Sequence, residues 1–154
     1  MRKKPLFITV VAILLFSVGS TIAEKFSAKG KTFYVRVNED DRQLPDGRIV
    51  RTTVDTGHLV FADGSPGRSE TCYTTVIHQP GQAKGKGGGH CRTVDVDGDS
   101  TWIWLKLNPV GNQWGYIQGT GKFEGITGLG TSKPGKAWPN GNFVVEWEIE
   151  YEIP

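Results

Sequence analysis

The sequence predicts an all-β protein, a single eight-stranded antiparallel closed barrel that follows an N-terminal signal peptide. Pro, Gly, Asn and Asp recur about every 8–12 residues, and the segments between them are short and rich in Val, Ile, Thr and aromatic residues. The last segment alternates apolar and acidic residues, which is typical of a strand with one buried face. Glycines cluster at residues 119–130, and a sheet that closes on itself needs sharp corners of this kind.

Residues 1–23 are the predicted signal peptide. Residues 2–4 form a basic region, residues 6–18 are an apolar run of 13, and residues 21–23 include the small side chains that a signal peptidase recognises. The alternative, a membrane anchor, would need about 17–25 apolar residues. The run therefore predicts a cleaved signal, a periplasmic or extracellular protein, and no membrane segment after cleavage.

The predicted mature domain, residues 24–154, has the length of one domain. The leader holds three of the 18 Lys and Arg residues and none of the 16 acidic ones, so the mature chain has a formal charge of −1. This charge gives no electrostatic attraction to a phosphate backbone. We therefore expect no nucleic-acid partner.

The strands are predicted from the spacing of the turn residues. In chain order they are residues 31–38, 48–55, 58–62, 70–78, 90–96, 101–108, 114–118 and 142–153, with a short additional strand near 129–132 as an option. Eight or so antiparallel strands in this length are typical of an up-and-down barrel or a sandwich.

The first and last predicted strands alternate most clearly. In the last strand, Phe143, Val145, Trp147, Ile149, Tyr151 and Ile153 share one face, and Glu146, Glu148, Glu150 and Glu152 share the other. We expect the apolar face to point into the barrel, and we interpret the Glu row as a solvated face rather than a cation-binding ladder. In residues 31–38 the same logic predicts Phe33, Val35 and Val37 inside. Arg36 would then lie outside, where it could meet the Glu row if the first and last strands pair.

The hairpin of residues 90–108 is predicted to turn at Asp97-Gly98, a favourable two-residue loop that pairs Val94 with Thr101. Both of its faces are partly apolar. The sequence leaves open whether Trp102 and Trp104 line the interior or form an outer patch. An outer patch would need cover from a loop or another copy, so a homo-oligomer, a dimer or trimer, is one expectation.

The two cysteines predict one disulfide, Cys72–Cys91, because an exported chain folds in an oxidising compartment. Closing a loop of about 20 residues is worth roughly 3 kcal/mol in the chain-entropy model. The alternative is a pair of free buried thiols.

Metal and cofactor motifs are incomplete in this sequence, and we expect neither a metal nor a cofactor. Residues 95–99 resemble the start of an EF-hand loop, but Gly98 comes two places early and Lys106 stands where a bidentate Glu is needed. Residues 81–89 are one residue short of a phosphate loop and lack its Ser or Thr. If Cys72 pairs with Cys91, the strand rise separates His78 from His90 by about 17 Å, too far to share an ion.

A family resemblance is carried by the segment Gly119-Thr-Gly-Lys-Phe-x-Gly-Ile-x-Gly. It resembles the C-terminal signature of the allene oxide cyclase barrel-like proteins, relatives of plant allene oxide cyclases and dirigent proteins. The likeness covers residues 70–153 and includes the two cysteines, the Asp-x-Asp-Gly-Asp turn and the long final strand. It implies an eight-stranded barrel with a largely apolar cavity, in which the plant cyclases close a ring and dirigent proteins steer a coupling reaction. The catalytic carboxylate of the cyclases matches no position here.

Two function classes follow from these observations. One is an exported barrel that binds a small apolar molecule or assembles with copies of itself; the other is a cyclase or isomerase that acts on an apolar substrate in the same cavity. The inward residues of the clearest strands are nearly all apolar, which favours the first class. A buried carboxylate that is hydrogen-bonded to Tyr, His or Asn in the cavity would favour the second, because an enzyme needs an acid, base or donor there.

The candidate ligand-binding residues are the aromatic ones on these strands: Trp147, Tyr151, Phe143, Trp114 and Tyr116. The glycines of residues 119–130 add no side-chain volume, so we expect space, and the ligand's entrance, at that end of the barrel.

Exported protein should consist of residues 24–154 with both cysteines oxidised. Intact-mass measurement after alkylation without a reductant should find this chain and no alkylated cysteine, because signal peptidase and the oxidising compartment act on the same molecule. A mass that retains the leader, or that carries two alkyl groups, would contradict the prediction.

Overall fold

Eight antiparallel strands follow one another around a closed barrel. The computed structural model describes residues 23–82 and 84–154, so the predicted leader lies outside the described residues apart from Ala23. The strands are β1 (Glu24–Gln43), β2 (Ile49–Phe61), β3 (Arg68–His78), β4 (Lys86–Val94), β5 (Ser100–Leu107), β6 (Asn112–Gly119), β7 (Thr127–Ala137) and β8 (Phe143–Ile153), with a 3-10 turn at Gly121–Phe123. In this part of the chain, no helix has the length and apolar character needed to cross a bilayer.

The connections alternate between the two ends of the barrel. The β2–β3, β4–β5 and β6–β7 connections share one end, which we call the β4–β5 end, and the remaining connections share the β3–β4 end. β1 pairs with β8, from Glu24 opposite Ile153 to Tyr34 opposite Phe143, and this pairing closes the barrel. The predicted fold class is confirmed.

β1 is longer than predicted (residues 31–38) and β4 lies earlier than predicted (residues 90–96), and two further differences change how the strands are counted. Residues 48–55 and 58–62 are parts of one continuous strand, β2, because Thr56 and Gly57 stay extended and pair with Val35 and Tyr34 of β1. The optional strand near residues 129–132 is a full strand, β7. Glycine and proline have low β-propensity, so a propensity argument does not predict this strand in full. They do not prevent its pairing with β8.

The face of β8 is as predicted. Trp147 and Ile149 are buried, whereas Glu146, Glu148 and Glu150 are exposed. Lys31 of β1 lies opposite Glu146, and its Nζ is 2.9 Å from that carboxylate. Exposed pairs of this kind contribute little to stability, so the Glu row is a solvated face that lysines of β1 partly neutralise.

The predicted orientation of β1 is wrong. Phe33, Val35 and Val37 are 49%, 52% and 61% exposed, whereas Thr32 is buried. The register with β8 is the reason: Thr32 lies opposite Val145, and Trp147 Nε1 donates a hydrogen bond to Thr32 Oγ1 over 3.0 Å. The β8 side chains Trp147 and Ile149 fill this level of the interior, so β1 places its Gly30 and its polar residues Thr32, Tyr34 and Arg36 on the inner side.

Arg36 of β1 consequently lies on the inner side and does not meet the Glu row. Its Nε donates to Asp55 Oδ1 on β2 over 2.8 Å, and its guanidinium also pairs with Glu39. The prediction that β1 and β8 pair is confirmed, and the predicted partner of Arg36 is wrong.

The β4–β5 hairpin is shifted by one residue from the predicted register. Asp95 N donates to Asp99 O, Gly98 N donates to Asp95 O, and Gly98 has φ +90°, which together define a three-residue loop. Thr93 is therefore opposite Thr101.

This shift settles which face of the hairpin is interior. Thr93, Thr101 and Ile103 are buried inside the barrel. Trp102 and Trp104 alternate with them and lie on the outer face, where the Arg92 guanidinium is 5.2 Å from the Trp102 ring centroid. An oligomer that covers these residues stays a prediction.

The disulfide Cys72–Cys91 is confirmed. It joins β3 and β4 at directly opposite positions, and both residues are buried. The covalent link is consistent with export to an oxidising compartment.

Inward glycines make room for the large aromatic side chains. A Cβ on Gly30 would lie 2.7 Å from Cζ2 of Trp147, and a Cβ on Gly130 would lie 2.7 Å from Cζ2 of Trp114. Each indole therefore packs flat over a neighbouring strand that carries no side chain at that position.

Gly30→Ala should lower the free energy of unfolding by about 1–3 kcal/mol, because the added methyl group would clash with the backbone oxygen of Val60 and with the indole of Trp147. Urea unfolding followed by tryptophan fluorescence measures the change. Lys29→Ala, at the exposed neighbouring position, is the control and should stay close to the parent. Equal stabilities for the two variants would contradict this account of the packing.

Candidate functional site

The barrel interior contains a small cavity of about 60 Å³. A volume of this size has room for about two to four water molecules. Its apolar walls come chiefly from Ile103, Leu105, Trp114, Val145, Trp147 and Ile149. Its polar wall comes from Tyr34, Glu70, Arg68, Tyr116 and three threonines.

Glu70 and Tyr34 form a hydrogen-bonded pair on the polar wall. Glu70 is 6% exposed, and the Tyr34 hydroxyl donates to its Oε2. The register brings them together: Tyr34 lies opposite Gly57 on β2, and Gly57 lies opposite Glu70 on β3. Because Gly57 has no side chain, the Tyr34 ring crosses β2 and reaches the carboxyl group; a Cβ on Gly57 would lie 2.8 Å from Tyr34 Cδ1.

Burial sets the protonation of this pair. It raises the pKa of Glu70 to about 7, with the hydrogen bond from Tyr34 opposing the change. Burial, followed by the nearby charge of Glu70, raises the pKa of Tyr34 well above its usual range. Near neutral pH, Glu70 can therefore either hold or accept a proton, while Tyr34 remains a donor.

The disulfide supports the Tyr34–Glu70 pair. Cys72 is two residues from Glu70 on the same face of β3, and its Sγ lies 3.6 Å from the Tyr34 oxygen. Glu70, Cys72 and Cys91 have ligand-type atoms within 4.8 Å of one another. The two sulfur atoms are bonded to each other and are not available as thiolates.

Arg68 and Tyr116 lie on the same polar wall. The Arg68 guanidinium is 4.4 Å from the ring centroid of Phe123 and 5.1 Å from that of Phe61. Burial raises the pKa of Tyr116 to about 12, and the positive charge of Arg68 opposes this change. Tyr116 is consequently a hydrogen-bond donor throughout the neutral range.

The β4–β5 end of the barrel is closed. Phe123 and Ile126, on the connection between β6 and β7, are 5% and 3% exposed, and Arg68 stacks on Phe123 from the inside. The glycines of residues 119–130 fold this connection over the barrel end instead of leaving space there. The expected entrance at that end is therefore wrong.

A larger chamber of about 380 Å³ lies at the β3–β4 end. It shares Tyr34, Leu105, Ser132 and Val145 with the inner cavity, so the two spaces adjoin. Its lining combines apolar side chains, including Phe143, with the Arg36–Asp55 ion pair. Access to the inner cavity is thus from the β3–β4 end.

A second polar network lines this chamber. Thr53 Oγ1 donates to Asp55 Oδ2 over 3.0 Å and lies 2.8 Å from Thr74 Oγ1, while Arg36 donates to Asp55 Oδ1. Asp55 is 3% exposed, so these donors satisfy carboxylate oxygens that are shielded from solvent.

The predicted ligand-binding residues occupy three places. Trp147, Trp114 and Tyr116 line the inner cavity. Phe143 lines the outer chamber and stacks on Tyr34, with ring centroids 4.9 Å apart. Tyr151 packs on Phe26 and against Tyr116 near the closed end. The structure therefore brings three of the five together.

The sequence argument missed Glu70, Tyr34 and Arg68. A usable signal was present, because side chains two apart on a strand share a face. If the Cys72–Cys91 disulfide is buried, then Glu70 and Arg68, two and four residues before Cys72, point inward with it.

Two solved structures share this architecture: the pterocarpan synthase dirigent proteins GePTS1 and PsPTS1. Each superposes with a TM-score of 0.56 at 16% sequence identity; the matches cover 85% of this chain and 86% of GePTS1, and 84% of this chain and 95% of PsPTS1. The barrel has the fold of the dirigent proteins. No family model and no curated protein matches the sequence. The predicted resemblance is therefore confirmed for the dirigent proteins, at the level of the fold.

Glu70→Gln should remove a pH dependence of stability between about pH 4.5 and 7. The folded protein holds the Glu70 proton with a pKa of about 7, whereas the ordinary value is 4.5. The contribution of Glu70 is therefore fully present below the ordinary value and is lost as the pH rises through about 7, by about 3 kcal/mol. Gln retains an acceptor for Tyr34 but cannot ionise. Urea unfolding of both proteins across this range measures the difference.

Glu148→Gln, at an exposed position of β8, is the matched control and should run parallel to the parent protein. A Glu70→Gln curve that also runs parallel to the parent would show that the buried carboxyl group titrates normally.

Proposed function

We propose that the barrel binds a small, largely apolar molecule in its interior and that Glu70 moves a proton on that molecule, so that the protein is an isomerase or cyclase. The observation that carries the proposal is the Tyr34–Glu70 pair on the wall of the inner cavity. This is the arrangement that distinguishes an enzyme from a purely binding barrel, because it supplies an acid or base next to the ligand.

The properties of the pair fit proton transfer. A carboxyl group with a pKa of about 7 can accept a proton from carbon and return it within one reaction cycle at neutral pH. The Tyr34 hydroxyl donates to whichever form of Glu70 is present. A proton that is taken and returned leaves the oxidation state of the ligand unchanged, which is the chemistry of isomerisation and of many ring closures.

The two adjoining spaces support the binding part of the proposal. The reacting end of the ligand would lie in the inner cavity against Trp114 and Trp147, and the rest would extend past Val145 into the outer chamber beside Phe143. Tyr151 would contribute indirectly, because its ring packs against Tyr116 and would hold that side chain in place. Two structural neighbours are named synthases, which is a precedent for chemistry in a barrel of this fold.

The setting that we propose for this activity is outside the cytoplasm, after removal of the leader. The disulfide supports this location. We also propose that the protein forms a dimer or trimer, for which the exposed apolar row Phe33, Val35 and Val37 on the outer face of β1 is the supporting observation.

The test uses 5-nitrobenzisoxazole, a small apolar molecule whose ring opens when a base removes a carbon-bound proton. The mature protein should accelerate this reaction, and the rate should rise with pH through about 7 as Glu70 becomes the carboxylate. Glu70→Gln should lower kcat by at least about 100-fold, the low end of what general bases contribute. The absorbance of the phenolate product measures the rate.

Two variants of β8 distinguish binding in the cavity from binding on the outer surface. Val145→Phe fills the junction of the two spaces and should raise KM at least tenfold, whereas Val144→Phe, on the outer side of β8, should leave KM unchanged. Unaltered turnover in Glu70→Gln would disprove the catalytic proposal. A non-catalytic binding barrel would bind the compound, lose affinity in Val145→Phe, and never change the rate of ring opening.

A further inference from the structure

Arg68 is the charged group of the inner cavity that the proposed proton transfer leaves unused. Arg68 is half-buried on the cavity wall, and its guanidinium lies over the rings of Phe61 and Phe123. Among residues 23–82 and 84–154, no carboxylate lies within ion-pair distance of Arg68. A half-buried guanidinium without a counter-charge keeps N–H donors that a ligand can use, and stacking on two aromatic rings does not satisfy those donors.

Tyr116 provides a second donor beside Arg68. It lines the same cavity, and its raised pKa keeps the hydroxyl protonated in the neutral range. A guanidinium has five N–H donors and no acceptor, and a protonated tyrosine adds one more donor. This part of the wall is therefore rich in donors, and its chemical complement is an oxygen that carries negative charge.

The spacing between Arg68 and Glu70 limits how one ligand can contact both side chains. The two residues are separated by one residue on β3 and share its inner face, at a spacing of about 7 Å along the strand. A carbonyl oxygen beside Arg68 would thus place the neighbouring carbon of the same molecule near Glu70. The inner cavity adjoins the larger chamber, so the rest of such a molecule would extend past Val145 toward the β3–β4 end.

We propose that Arg68 and Tyr116 bind a ligand oxygen that becomes negatively charged, and that the ligand is an enolisable carbonyl compound. This inference rests on the proposed function, because Glu70 supplies the base. Donors fixed in advance at the place where charge develops lower the barrier most in a site that excludes water.

The proposed step balances without any further reagent. The Glu70 carboxylate removes a proton from the carbon next to the carbonyl group, and the electron pair of that C–H bond forms a carbon–carbon double bond. The electrons of the carbonyl π bond move to its oxygen, which Arg68 and Tyr116 stabilise as an enolate. Glu70 then returns the proton to a different carbon of a β,γ-unsaturated ketone, the carbonyl bond re-forms, and the product is the conjugated isomer.

The experiment uses 4-nitrophenol as a mimic of the enolate, with 4-nitrotoluene as the neutral compound of the same shape. In the parent protein, the pKa of bound 4-nitrophenol, read from its visible absorbance, should be at least about one unit lower than in water. 4-Nitrophenol should also bind at least tenfold more tightly than 4-nitrotoluene. Arg68→Met keeps the stem that packs between Phe61 and Phe123, and should abolish both differences while 4-nitrotoluene still binds.

Two further variants show that the charge at this position is responsible. Arg68→Lys restores a positive charge and should recover part of the lowered pKa. Arg92→Met removes a guanidinium that also stacks on an aromatic ring, but on the outer wall over Trp102, and should change nothing. The same Arg68→Met variant should lower the rate of conversion of 3-cyclohexenone to 2-cyclohexenone, followed by ultraviolet absorbance, by at least about 100-fold.

The outcomes separate this inference from the proposed function. An equal pKa of bound 4-nitrophenol in the parent and in Arg68→Met overturns the oxygen site, even if Glu70→Gln abolishes the ring-opening reaction. Failure of the parent to bind either nitro compound overturns both proposals, because the cavity then admits no ligand of this size.

Discussion

A hydrogen bond across an intervening strand is the contact on which the candidate site depends. Tyr34 of β1 reaches Glu70 of β3 over β2, and it can do so only because the residue between them is Gly57. The paired carboxyl group is thereby held inside the barrel, away from the water that would otherwise solvate it. Its raised pKa follows from that burial, so a glycine that makes no polar contact controls the acid–base character of a residue on another strand.

Neighbouring groups keep the Tyr34–Glu70 pair in place, although burial of the Glu70 carboxyl group is unfavourable. Cys72 follows Glu70 by two residues, and its bond to Cys91 fixes β3 and β4 at this level of the barrel. At the closed end, Phe123 covers Arg68 and seals the cavity from that side. A covalent link and an aromatic cover therefore flank a group that by itself destabilises the folded state above its pKa.

The sequence predicts the barrel well because its strongest signals are local: turn residues at short intervals, one long alternating strand and two cysteines in an exported chain. It predicts the interior less well. The apolar face of β1 lies outside and its small polar face lies inside, because the indole of Trp147 takes the space and hydrogen-bonds to Thr32. A rule that places apolar residues inside cannot anticipate this, since the cause lies on a strand more than a hundred residues away. The register of the β4–β5 hairpin was missed for a related reason: Asp97-Gly98 fits a two-residue loop, but the hydrogen bonds between Asp95 and Asp99 select a three-residue one.

The inner side chains of the barrel are divided between two kinds of wall. Along β3, Arg68, Glu70, Cys72 and Thr74 alternate onto the interior and make one side polar. Across the cavity, Ile103, Trp114, Trp147 and Ile149 make the other side apolar. A molecule that enters from the β3–β4 end therefore meets an environment that orients it before any chemistry occurs: its apolar face packs on the indoles, and its polar edge turns toward β3. Arg68 and Glu70 lie on the same strand, so a ligand whose oxygen contacts Arg68 would have its neighbouring carbon near Glu70. In the proposed reaction, this arrangement would couple binding to proton transfer, and it arises from the simple alternation of side chains along a single strand.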